Sequence, residues 1–191
     1  MERISIIMFL LFFPACIGIL KQAIWGTELT EQIIAIAMCL FCIEQARMAV
    51  RDLQKITEAK RLVVDIRLDS FYIITLTTII VELLGFYFSS VWLGWGSIII
   101  LLSQVWFNLL ATIKIKISSA SIIDVIEPWT ISERLPVLIA DILGLVLVSF
   151  WMLKGASLGI SLVLCIMVVI YLGIKLIYSV SNYLRNRVYL S

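Results

Sequence analysis

Histidine is absent from the chain. That one absence removes the commonest general base, haem ligand and zinc ligand together, and most catalytic chemistry goes with it. Charge is also scarce, at 15% of residues with a net of +2, and no long basic block stands apart, so nucleic acid is excluded as a partner. The four cysteines (Cys16, Cys39, Cys42 and Cys165) all fall inside apolar runs, where a thiol acts as a small hydrophobe, so the sequence shows no disulfide framework. There is no internal repeat, low-complexity segment or linker, and residues 1–191 read as a single transmembrane domain.

What is present is apolar residue in excess: 62% of the chain, with a mean hydropathy of +1.11. Such a composition lies far outside that of soluble domains and predicts an all-α, polytopic integral membrane protein embedded in the lipid bilayer. Six hydrophobic runs predict transmembrane helices over 4–20, 32–51, 70–88, 97–113, 135–153 and 158–177, arranged as three hairpins. The first run, MERISIIMFLLFFPAC, looks like a secretory signal. Glu2 beside Arg3 and the poor cleavage context of Phe13-Pro14 favour a retained helix kinked at Pro14. Thr27 is placed to cap the second helix, whose first turn carries Glu28 and Glu31. Trp92 and Trp95 suit an aromatic belt, and Gly94 and Gly96 suit a turn between the third and fourth helices.

Two polar connections separate the spans. Residues 52–69 mix acids with Lys55, Lys60, Arg61 and Arg67 and read as a helical extension at the membrane surface. Residues 114–134 read as an interfacial segment capped by Ser119, bearing Ile122, Ile123 and Ile126 and anchored by Trp129, with Pro136 opening the fifth helix. The positive-inside rule tests this parse, since a wrong number of spans would scramble basic residues between the two faces. All of the fifteen Lys and Arg residues except Lys21 and Lys154 fall on one side, which predicts both termini in the cytoplasm or its equivalent, in a cell membrane or an internal energy-transducing membrane.

Polar residues within the spans are the functional candidates. On the second helix, Ala35, Cys39, Cys42, Ala46 and Ala49 follow a 4-3-4-3 spacing that makes a continuous small-residue face for close helix packing. The pair Cys39 and Cys42 could instead be a thiol-exchange site, but with no second pair to relay electrons the packing role is preferred. Glu44 and Arg47, three apart, suit an ion pair within one turn. Thr75, Thr78, Glu82, Gly85 and Ser89 line one face of the third helix, and Ser97, Gln104, Asn108 and Ala111 line a face of the fourth. Counting from the helix ends, Glu82 and Gln104 match in depth and predict a hydrogen bond. Glu44, Asn108 and Asp141 fall in a second layer roughly 10 Å away. Asp141 has Gly144 a turn on, leaving room for a backbone or water. Carboxylates at such depth are costly unless protonated, paired or holding a cation.

Two functional classes follow. One is a small transporter or channel-like protein moving protons, a cation or a coupled small solute along Glu44, Thr78, Glu82, Gln104, Asn108 and Asp141. In size and expected topology it is similar to the small substrate-binding subunits of modular vitamin transporters, a likeness of architecture alone. The other is a non-catalytic accessory or assembly subunit whose acids meet charges on partner membrane subunits or on a second copy of the chain. A membrane enzyme is the weakest reading: Asp124, Glu127, Thr130, Ser132 and Glu133 form the nearest surface cluster, and without histidine it lacks a base near neutrality. The cofactor stays open, because Gln, Asn and Glu can each ligate a pigment.

Overall fold

The computed structural model describes the backbone of residues 2–26, 28–116, 126–154 and 157–188, and the side chains among them except at 2, 3, 154 and 178–188. Within it run α1 (Glu2–Trp25), α2 (Leu29–Leu62), α3 (Ile66–Ser89), α4 (Leu93–Leu110), β1 (Ile113–Ile115), β2 (Ile126–Pro128), α5 (Ile131–Lys154) and α6 (Leu158–Val188). All six helices are long and apolar enough to cross a membrane. At 18 residues α4 is the shortest, and it still spans roughly 27 Å, close to a hydrocarbon core of about 30 Å.

The largest core is centred on α1, α2, α3 and α4, with Phe12, Ala15, Ile19, Ala35, Cys42, Phe86 and Ile100 fully or nearly fully buried, and it takes in Val148 and Trp151 of α5 and Leu164 of α6. The small-residue face of α2 is what α1 packs against. Cys42 lies 3.9 Å from the Phe12 carbonyl, and the Cys39 and Cys16 sulfurs are 3.4 Å apart. Ala35, Cys39, Cys42 and Ala49 are buried, and Ala46 is half-buried against the same core. The α3–α4 crossing depends on two glycines. A Cβ on Gly85 would come within 2.6 Å of Ile100, and one on Gly96 would collide with the backbone of Ser89.

Several boundaries differ from those the sequence suggests. Gly94 and Gly96 lie inside α4 and serve helix contact, not chain reversal. The extension of α2 and the start of α3 are separate helices broken at Val63–Asp65. Two β-branched residues extend the chain there, and the Asp65 carboxylate caps α3 by accepting the Arg67 N–H at 2.8 Å. The N-cap position of α2 is Glu28; the cap expected of Thr27 lies outside the described residues. Helix α5 starts before Pro136, at Ile131, because Thr130 and Glu133 form part of a capping box in which Glu133 Oε2 accepts the Thr130 N–H at 3.2 Å.

The connection after α4 is a two-stranded antiparallel ladder with Ile113 opposite Pro128, Lys114 opposite Glu127 and Ile115 opposite Ile126. Ser119, Ile122, Ile123 and Asp124, expected in an interfacial segment, lie outside the described residues. The strand has a legible cause: Ile113-Lys114-Ile115-Lys116 alternates apolar and charged with a period of two. Glu127 joins Lys116 at 2.7 Å and Lys114 at 3.4 Å, and these ammonium groups, Lys116 first, hold its carboxyl below the usual range. A second small core, with Ile56, Ala59, Leu68, Phe71, Ala111 and Ile113, seats the ladder on the ends of α2 and α3.

Candidate functional site

Helix α4 carries a chain of polar contacts along its length. Gln104 Nε2 donates to Glu82 Oε1 on α3, and both side chains are buried. One turn on, Asn108 Nδ2 donates to the Gln104 carbonyl at 2.9 Å and to Asp141 Oδ2 on α5 at 3.1 Å. The Asn108 carbonyl accepts from the Arg134 guanidinium, which also donates to the Thr130 carbonyl at 3.3 Å. Arg134 is only 4% exposed, so a residue that counts in the sequence as a surface charge instead satisfies the open carbonyl end of α4. Its guanidinium also lies 5.6 Å from the Trp129 ring centre.

A cavity of about 390 Å³ lies between α2, α4, α5 and α6. Its walls are mostly apolar, and its polar groups are Ser97, Gln104, Asp141, Tyr171 and Lys175. The cavity persists because α5 and α6, though only three residues apart in sequence, pack far more sparsely against each other than α5 does against α4 or α6 against α2. Gly144 lines the cavity and is met from the α4 side by Leu101, whose Cδ2 is 3.3 Å from where a Cβ would stand.

The structure divides the candidates from sequence into three groups. Gln104 and Asp141 stand on the cavity wall, with Asn108 joining them and Glu82 reached through Gln104. Thr78 stands apart, its hydroxyl donating to the Ile74 carbonyl of its own helix at 2.8 Å. Glu44 pairs with Arg47 at 3.5 Å, has one oxygen without a hydrogen-bond partner, and makes no hydrogen bond to Asn108 or Asp141.

Two residues of the cavity, Tyr171 and Lys175, are not among those the sequence singles out as sites. A signal for them exists: Leu164, Val168, Tyr171 and Lys175 recur at 4-3-4 spacing, so one face of α6 runs from apolar to charged. Tyr171 Oη lies 3.3 Å and Lys175 Nζ 3.7 Å from the Met48 sulfur of α2, and Lys175 Nζ sits 5.4 Å from the Tyr171 ring centre. Among the described residues, no group of three or more Cys, Asp or Glu is placed to hold a metal ion.

Among the described residues, these features define six helices long and apolar enough to span a membrane, with a half-open cavity between four of them that carries polar groups. No protein-family model, curated protein or solved structure matches the chain.

Proposed function

We propose that the chain is a small integral membrane transporter whose solute site is the cavity between α2, α4, α5 and α6, with Asp141 as the group that carries or exchanges a proton. The observation that carries this reading is the position of Asp141: a carboxyl buried among membrane-spanning helices, held by Asn108 and standing on the wall of a half-open cavity. Intramembrane carboxyl groups are costly to keep, and their usual use is in ion or proton pathways. The distribution of basic residues supports an orientation with both termini and the β1–β2 ladder on the cytoplasmic side. Glu82 serves the bundle as a partner of Gln104, one step behind the cavity wall.

The test is proton movement into vesicles containing the purified protein and a pH-sensitive dye, driven by a potassium diffusion potential. Wild-type vesicles are expected to change internal pH faster than protein-free ones. Asp141→Asn, which can still accept from Asn108 but cannot titrate, is expected to return the rate to the protein-free level. Wild-type vesicles indistinguishable from protein-free vesicles would overturn the transport reading.

One observation favours the accessory-subunit reading. Only 6% of the most apolar stretch of α6 is buried within the chain, against 50% for α2, so α6 offers a long surface to lipid or to a partner helix. Purification in mild detergent decides this: a stoichiometric partner that is lost when Ile166 and Ile170 on that surface are changed to Ala would support it.

A further inference from the structure

Asp141 and Lys175 line the same cavity, carry opposite charges, and do not meet. Among the described residues no basic group lies within 4.0 Å of Asp141 and no acid lies within 4.0 Å of Lys175. At contact distance Lys175 meets a thioether sulfur and the face of a tyrosine ring, while Asp52 and Glu44 attract it and Arg51 and Arg47 repel it from farther off. Their depths also differ. Measured from the ends that α5 and α6 share at Lys154 and Leu158, Asp141 lies roughly 20 Å down and Lys175 roughly 26 Å, at about 1.5 Å per residue. The wall nearer that shared end is apolar, with Ile34, Val148 and Leu164, apart from Ser97, whose hydroxyl donates to the Leu93 carbonyl of its own helix at 2.8 Å. Along the cavity, then, the order is an apolar stretch, an acid, and a base. The α5 wall from Pro136 to Val148 is roughly 18 Å long, so the cavity's volume is spread along a narrow slot that suits one chain lying lengthwise.

We infer that the cavity binds a zwitterionic amphiphile whose charges follow the same order: a single apolar tail, then a cationic nitrogen at the level of Asp141, then an anionic terminus at Lys175. This rests on reading the cavity as a ligand site and names the class of molecule that fits it. On binding, the buried Asp141 and the half-buried Lys175 each gain an opposite charge at contact distance, and the tail lies against the apolar wall. A simple cation leaves Lys175 without an opposite charge at contact distance, and a simple anion does the same for Asp141. A zwitterion of reversed order sets like charges side by side.

The test uses the purified full chain in a neutral maltoside detergent and a series of probes with one dodecyl tail. These are dodecyl-N,N-dimethylglycine, which has the inferred order, dodecylphosphocholine, which has the reverse, dodecyltrimethylammonium, dodecanoate and dodecanol. Binding is read by thermal shift and by competition. The dimethylglycine probe is expected to bind about tenfold or more tightly than each of the others, the discrimination that one charge-assisted contact supplies. Asp141→Asn is expected to bring dodecanoate level with it, and Lys175→Gln to bring dodecyltrimethylammonium level, so each variant changes preference in its own direction. Equal binding across head groups, tighter binding of the reversed zwitterion, or variants that weaken all probes alike would overturn the inference. Should either variant fail to fold, the wild-type ranking alone decides. If the ranking holds but no proton flux is found, the ligand class stands without transport; if flux depends on Asp141 but the ranking fails, transport stands without this ligand class.

Discussion

The Glu82–Gln104 contact can be measured as a coupling energy, and its size can be worked out in advance. Both side chains are buried, at 3% and 9% exposure, and Gln104 Nε2 is the hydrogen-bond donor that Glu82 receives. Replacing Gln104 with Leu leaves the carboxyl of Glu82 without that donor. An unmet buried polar group costs about 1–3 kcal/mol in general. Between membrane helices the measured couplings are smaller, averaging about 0.6 kcal/mol and reaching about 1.7, because the separated helices find other partners. The second layer is insulated from this change, since Asn108 donates to the backbone carbonyl of Gln104 and not to its side chain. The cycle of Glu82→Leu, Gln104→Leu and the double variant should therefore show a coupling between about 0.6 and 1.7 kcal/mol. The double variant should be more stable than the sum of the single losses implies. Unfolding of the purified protein in mixed micelles, followed by tryptophan fluorescence, measures all four corners. Losses that add within about 0.3–0.5 kcal/mol would mean the two side chains do not interact, and the assignment of Glu82 to the bundle would fail.

Gly96→Ala is expected to destabilise by about 1–3 kcal/mol or more, because its Cβ would meet the Ser89 backbone, which has nowhere to move. Gly144→Ala meets the two methyls at the flexible end of Leu101 and should be neutral or stabilising by up to about 1 kcal/mol; thermal unfolding of the pair checks the contrast. Replacing Cys39 and Cys42 with Ala should leave fold and flux intact, whereas Cys39→Leu should cost about 1–3 kcal/mol by overfilling the α1–α2 contact; loss of flux in the Ala variant would revive a thiol role. Glu127 has its carboxyl held low by Lys116 and Lys114, so its contribution is present above the ordinary carboxylate range and is lost as pH falls through the lowered folded value. The protection factor of the Trp129 N–H, which donates to the Thr112 carbonyl at 2.8 Å, should fall on acidification, and an unchanged protection factor would count against the ladder's charge pairs.

Much of the molecule follows from short-range pattern. Six apolar runs specify six helices, and the 3.6-residue period shows in advance that Ala35, Cys39, Cys42 and Ala49 share one face and that Glu82 and Gln104 match in depth. The capping box at Thr130 and Glu133 and the alternation from Ile113 to Lys116 are equally local, and both correct a boundary when they are given weight over hydropathy. Three things are not local. Which helix covers the small face of α2 depends on packing of the whole bundle, and α1 takes it. Arg134 counts as a surface charge until the chain folds back and brings the end of α4 against the start of α5, where the Asn108 carbonyl needs a donor. The cavity exists only because α5 and α6 diverge while α2 and α4 hold them from either side, and this divergence has no sequence period to announce it. Periodicity determines which residues share a face of one helix; which faces meet, and where they leave space, is decided by the competition among all six helices for contact.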